Sequence, residues 1–247
     1  MALNRTIYRT FKIIELLEES ETGLSLKELS DKMNIPKTSV FDIVHTLLDI
    51  GIVEKPNAYV KKYVAGKKLF SMGQTYMTKK DINKVDQKYI KDLANKLNKT
   101  VYIGVEYNAE IIYIQACEPA RSIKSSSLVG SSEGIYSTAL GKAFLANCTP
   151  EKQKEIIDQI EFVKYQKNTI TDKESLIAEL ERTKTRGFAI DNEENEEGII
   201  CVGVPIFNKD KKVVASMSVS GFNHEIKNLG VELQEILKTS KKISDEL

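Results

Sequence analysis

The sequence predicts an α+β fold in two parts, and three observations predict it. Two short capped helices followed by a strand pair fill residues 24–65. From Thr100 onward the apolar repeat changes from the helical period to a period of two. The helical segments of that second part are mostly segregated from five or six candidate strands, which is the α+β pattern.

The N-terminal elements have their own signals. Ile7, Phe11, Ile14 and Leu17 mark a first helix whose face should pack under the two helices that follow, and Arg5 and Arg9 at its start could reach phosphate. Ser25 with Glu28 three residues later is a capping box, in which each side chain satisfies a backbone donor at the helix start. Leu24 and Leu29 flank it as a hydrophobic staple. Asn34 suits the left-handed conformation that ends a helix, and Pro36 suits the first turn of the next. Val40, Ile43, Val44 and Leu47 recur at helical spacing, so one face packs inward. The outer face carries Lys37, Thr38, Ser39, Phe41, Asp42 and His45, and Gly51 stops the helix.

Two capped helices joined by a short turn can be an ordinary helical hairpin. The residues after Gly51 favour a winged helix-turn-helix, which places one helix in the DNA major groove. Ile52–Lys55 is strand-like, Pro56-Asn57-Ala58 is a turn, and Tyr59–Ala65 alternates as a second strand. Lys55, Lys61, Lys62, Lys67, Lys68, Lys79 and Lys80 run through this stretch and beyond it with no acidic residue among them. An uncompensated basic hairpin suits phosphate contact, with Lys61 and Lys62 on the wing itself; a solvated lysine face is the alternative.

At 247 residues the chain is long enough for two domains, each with a core. The net charge of +1 says little about partners, but its distribution says more. Residues 1–80 carry 13 basic and 9 acidic side chains, and the remainder 23 and 26. The 3 cysteines are far apart, with neither metal-ligand spacing nor a disulfide framework, so no metal or cofactor is expected. No secretory signal or transmembrane run stands at the N-terminus, so a cytoplasmic location without membrane contact is expected. The polar stretch Thr78–Asn83 sets the boundaries: a winged unit over 1–77, a linker helix region over 78–98 and a second domain over 99–247.

In the linker region Val85, Tyr89, Leu93 and Leu97 form a helical inner face. Thr100–Tyr107 and Glu110–Glu118 form a hairpin about Asn108-Ala109, and Arg121–Val129 is a third candidate strand. Ser137 caps a helix over Thr138–Asn147, and two amphipathic helices cover Glu151–Ile160 and Asp172–Arg186. Gly187 leads into Phe188–Ile190; strands over Ile199–Phe207 and Lys212–Ser220 follow, then a last helix from about Glu225.

With these elements in place the chain resembles the IclR family of bacterial transcriptional regulators over nearly its full length. The N-terminal motifs are Leu26-Lys27-Glu28-Leu29 and Ile35-Pro36-Lys37-Thr38-Ser39-Val40. The later ones are Ser137 to Ala146, Arg186 to Glu194, Gly198 to Phe207 and Ala215 to Gly221. Each is weak alone; in this order and at these separations they are specific. The resemblance implies a winged helix-turn-helix and a GAF-like effector-binding domain, an antiparallel sheet with flanking helices. It also implies a double-stranded DNA operator, a small organic effector, and a homodimer or dimer of dimers. By position, the family's ligand-contacting places fall on Ala139, Leu140, Asp191, Cys201, Ser218 and Ser220. Family members often carry Arg and His where this chain has Asp42 and Phe41, and Pro and His where it has Gly134 and Tyr136. With Gly130, Ser131 and Ser132, the latter pair suggests a flexible loop beside the pocket.

The chemistry of those positions fits a carboxylate-bearing effector. A helix starting near Ala139 and Leu140 offers free N–H groups to an anion. Ser218 and Ser220 are two apart on a strand and face the same side. Asp191 could accept from a ligand hydroxyl. The alternatives are a water-facing strand for the serines, a solvated acidic loop for Asp191 and a buried core thiol for Cys201. A small-metabolite enzyme would need Cys201 and Asp191 as nucleophile and partner, but neither His45 nor His224 lies near them in sequence. A second domain that only oligomerises is the remaining reading.

Overall fold

In a computed structural model, the structure is described for residues 3–57, 59–79, 82, 85–119, 129–223 and 229–247. The chain divides into two units, Met1–Lys80 and Asp81–Leu247.

The first unit holds α1 (Arg5–Glu18), α2 (Leu26–Met33), α3 (Lys37–Asp49), β1 (Val53–Glu54), β2 (Val64–Ala65) and α4 (Lys67–Lys79). The capping box of α2 is complete: Glu28 N–H donates to Ser25 Oγ (3.3 Å) and Ser25 N–H to Glu28 Oε2 (2.7 Å). The Ser25 backbone N–H, and after it the Ser25 hydroxyl, hold the Glu28 carboxyl below its usual range. Asn34 ends the helix at φ 52° and ψ 48°, and Gly51 follows α3 at φ 77°. Ile13, Leu17, Leu29, Val40, Val44 and Leu47 form the core of the unit with Tyr63. Ser25→Ala should lower the stability of this unit by about 1 kcal/mol. The check is a lower urea midpoint at unchanged slope.

Two expectations need correction in this unit. Ile7 and Phe11 do not point inward; they are 57% and 61% exposed, because the core begins only at Ile13 and the first two turns of α1 have nothing to pack on within it. The second wing strand is also shorter than Tyr59–Ala65. Asn57 Oδ1 accepts from Tyr59 and Val60 N–H (3.0 Å each), which spends those donors on a turn. Pairing starts at Tyr63, which exchanges two backbone bonds with Leu24 (2.9 and 2.8 Å) before β2 meets β1. Ala58 lies outside the described residues.

The second unit is built on a six-stranded antiparallel sheet in the order β5-β4-β3-β8-β7-β6. The strands are β3 (Thr100–Tyr107), β4 (Glu110–Cys117), β5 (Ser132–Gly134), β6 (Ala189–Asn192), β7 (Ile199–Phe207) and β8 (Val213–Phe222). Its helices are α5 (Lys88–Leu97), α6 (Ala139–Leu145), α7 (Pro150–Ile157), α8 (Lys173–Arg186) and α9 (Leu229–Asp245). α6 lies on one face of the sheet with α8 behind it, while α5 and α9 pack together on the other. The β3–β4 turn puts Asn108 and Ala109 at φ 51° and 62°, the twist that a two-residue hairpin requires. The candidate strand over 121–129 lies, but for Val129, outside the described residues. No helix among the described residues is long and apolar enough to cross a membrane.

The segment 130–136 is not the flexible loop its composition suggests. Ser132–Gly134 pairs with β4 as the sheet's edge strand, and Gly130 N–H donates to Tyr113 O (2.8 Å). Tyr136 is buried; its hydroxyl donates to Val163 O and accepts from Val163 N–H, both at 2.8 Å. Gly134 suits this edge, because a Cβ there would lie 3.0 Å from the Tyr136 ring.

Candidate functional site: the second helix of the reader and a buried cavity

On α3 the inward residues leave Thr38, Phe41, Asp42 and His45 as one outward stripe, with Lys37 exposed at its start and Ser39 half-buried. Phe41 stacks on His45 with ring centroids 3.8 Å apart, and His45 meets the edge of Tyr63 at 6.2 Å. Arg5 and Arg9 sit on the first turns of α1. Lys61 is exposed on the wing, whereas Lys62 leans back, its Nζ donating to Thr22 Oγ1 (3.2 Å). Glu54 accepts the backbone N–H of Lys67 at 2.9 Å, while the Lys67 ammonium stays exposed, 4.0 Å from Glu54 Oε2.

In the second unit Ala139, Leu140, Asp191, Cys201, Ser218 and Ser220 all line one cavity of about 240 Å³. The sheet register explains their meeting. Asp191, Cys201 and Ser220 are successive partners across β6, β7 and β8, and Gly203, Ser218 and Tyr102 form the next row across β7, β8 and β3. Gly203 lets α6 sit on the sheet, because a Cβ there would lie 2.3 Å from Ala139 O. Ser218 is buried, so this strand does not face water.

The cap of α6 is Thr138 rather than Ser137. Thr138 Oγ1 accepts from Gly141 N–H (3.0 Å), and Lys142 N–H donates to Thr138 O. The N–H groups of Ala139 and Leu140 have no hydrogen-bond partner among the described residues, and both residues line the cavity. Ser137 instead bonds Asn195 Oδ1 (3.0 Å), and Asn195 Nδ2 donates to Glu133 Oε2 (3.0 Å). Helix period brings Ser137 close to the start of α6, but it faces the 191–195 turn.

Asp191 is 4% exposed, which rules out the solvated loop. Its Oδ1 accepts from Glu194 N–H (2.8 Å), yet burial pushes its carboxyl up to about 7. Behind it, Lys142 is fully buried on α6 and pairs with Glu194, whose own carboxyl is raised by burial. Burial raises the Cys201 thiol strongly, and Asp191 adds to the effect, so Cys201 stays protonated and is no nucleophile. Sequence patterns do not single out Tyr102, Tyr113, Tyr165 or Glu133, which complete the wall. For Tyr102 the missing signal is strand order, since only its place opposite Ser218 brings it there. The signal for the Lys142–Glu194 pair is a lysine in an otherwise small and apolar helix.

Residues 6–56 match the IclR helix-turn-helix domain, and residues 74–245 match the bacterial transcriptional regulator IclR C-terminal domain. The chain is similar to the HTH-type transcriptional regulator KdgR of Escherichia coli strain K12, 29% identical over 216 residues, covering 87% of this chain and 81% of that one. It aligns with the crystal structure of the Thermotoga maritima IclR at TM-score 0.75 and 32% identity, covering 98% and 96% of the two chains. An IclR homologue from Microbacterium hydrocarbonoxydans, complexed with 4-hydroxybenzoate, shares the fold at TM-score 0.83 and 15% identity over 98% of each chain.

A DNA-binding helix-turn-helix followed by an effector domain defines a transcriptional regulator rather than an enzyme. Within that class, the chain belongs to the IclR family.

Proposed function

We propose that the second unit binds a small carboxylate-bearing metabolite and that binding changes the affinity of the first unit for a double-stranded operator. The observation that carries this reading is one small cavity that combines two unpaired helix-start N–H groups with a floor of hydroxyls. The carboxylate sits on the N–H groups of Ala139 and Leu140. Ser218, Ser220 and Cys201 line the far side, and Asp191 holds a polar substituent. At about 240 Å³ the cavity is smaller than the roughly 300–1,000 Å³ of pockets for drug-sized ligands, so the effector is small. Binding of 4-hydroxybenzoate, itself a carboxylate, by the Microbacterium relative supports the class.

Glu133 and Glu196 also line the cavity, and no Lys or Arg does among the described residues. Neutral Asp191 is therefore a condition for an anionic ligand, and affinity falls as pH rises past about 7. Native mass spectrometry of the purified protein, followed by calorimetry with the recovered compound, tests the reading. A small acid bound one per chain supports it; a cationic or large apolar compound contradicts it.

The DNA face comprises Lys37, Thr38, Ser39, Phe41, Asp42 and His45 of α3, with Arg5, Arg9, Lys61 and Lys62 on phosphates. Changing Lys61 and Lys62 together to Ala should weaken binding to all sequences and flatten the salt dependence by up to about 0.9 per lost contact. Fluorescence anisotropy against salt measures it, and an unchanged slope removes the wing from the interface. The chain works in the cytoplasm as a homodimer or dimer of dimers, because one helix reads only a few base pairs. Sedimentation equilibrium showing only monomer, with and without DNA, contradicts that.

A further inference from the structure

We propose that Phe41 reads the C5 methyl group of a thymine in each operator half-site, as a ring held ready by His45; this rests on α3 being the base-reading helix. The outward stripe of Thr38, Phe41, Asp42 and His45 carries no Lys or Arg. Asp42 within it repels phosphate, so the stripe is suited to base edges rather than to the backbone. Phe41 is 47% exposed and stands outside the core of the unit. It has no donor or acceptor, and the one apolar feature that a base edge offers in the major groove is the thymine methyl.

The ring is also pre-positioned. His45 Nδ1 donates to Phe41 O (3.0 Å), and its ring stacks on Phe41 at an interplanar angle of 26°. On its other side His45 meets the edge of Tyr63, which is buried, fixed by its two backbone bonds to Leu24, and covered by Lys55 Nζ at 5.5 Å from the ring centroid. The aromatic row thus ties an exposed side chain on α3 to the base of the wing. An unsupported Phe at this place would lose rotamer freedom on binding; this one has little left to lose.

The test uses the full chain and duplexes selected by it from a random pool. Each enriched thymine is then replaced in turn by deoxyuridine, which lacks only the methyl. One position per half-site should lose about fourfold in affinity, the value of burying one carbon group. Phe41→Ala should bind more weakly and be indifferent to uracil there, while Phe41→Leu should keep part of the uracil effect. 5-Methylcytosine in place of cytosine at that position should restore a similar factor for the wild type. A selection that enriches no sequence overturns base reading by α3 and the proposal with it. Enrichment in which uracil costs the wild type nothing, or costs Phe41→Ala as much as the wild type, leaves base reading standing and overturns the assignment to Phe41.

Discussion

Lys142→Met should destabilise the second unit by about 3–5 kcal/mol at pH 8, because it strands the Glu194 carboxylate in the interior. The melting temperature should fall by on the order of 10 °C. Glu194 already has one oxygen, Oε2, without a hydrogen-bond partner among the described residues, and no second cation among them replaces Lys142. Its raised carboxyl gives the loss a pH signature. At lower pH Glu194 takes a proton and the penalty shrinks, so wild type and variant should converge. Adding Glu194→Leu to Lys142→Met should recover most of the loss, since a buried pair is often replaceable by apolar side chains even where neither partner can be removed alone. A single variant as stable as wild type at pH 8 would show that the pair does not hold α6 to the 191–195 turn.

Asp191→Asn should act in the opposite direction. Its carboxyl lies at about 7 in the folded chain, against an ordinary value of 3.8. A raised carboxyl contributes stability that is fully present below about 4 and is lost as pH rises through 7. Asn keeps the acceptor for Glu194 N–H and has no proton to lose. Relative to wild type, the variant should therefore gain stability between pH 4 and pH 8, by about 4 kcal/mol at most. Thermal melts of both proteins across that range measure it. Parallel pH profiles would mean that Asp191 is ionised throughout. The same variant should remove the pH dependence of effector binding near neutrality.

Much of the fold and of the cavity is legible in the sequence. The capping box at Ser25 and Glu28, the left-handed Asn34 and the limits of β3 and β7 are local signals, and local physics delivers them. The cavity residues on β8 are legible because alternation alone sends Ser218 and Ser220 to one side. The features that escape depend on partners distant in the chain. Whether Ile7 and Phe11 are buried depends on how far the core reaches along α1, and periodicity does not say. The edge strand at Ser132–Gly134 forms only because β4 supplies its ladder; its own composition reads as loop. Ser137 and Thr138 are equally good caps by residue type, and the turn carrying Asn195 decides between them. Tyr102 becomes part of the cavity only when β8 is known to lie beside β3.

Coupling between the cavity and the DNA face is tested most directly by operator affinity with and without the recovered effector, for wild type and for Ser218→Ala combined with Ser220→Ala. Anisotropy titrations on a selected duplex suffice. The effector should shift wild-type affinity by about 5–150-fold, the usual range of allosteric coupling. The double variant should match the wild type without effector and show no shift with it. A double variant that responds to the effector like the wild type would place the effector elsewhere; one that loses DNA binding without effector would make those serines structural.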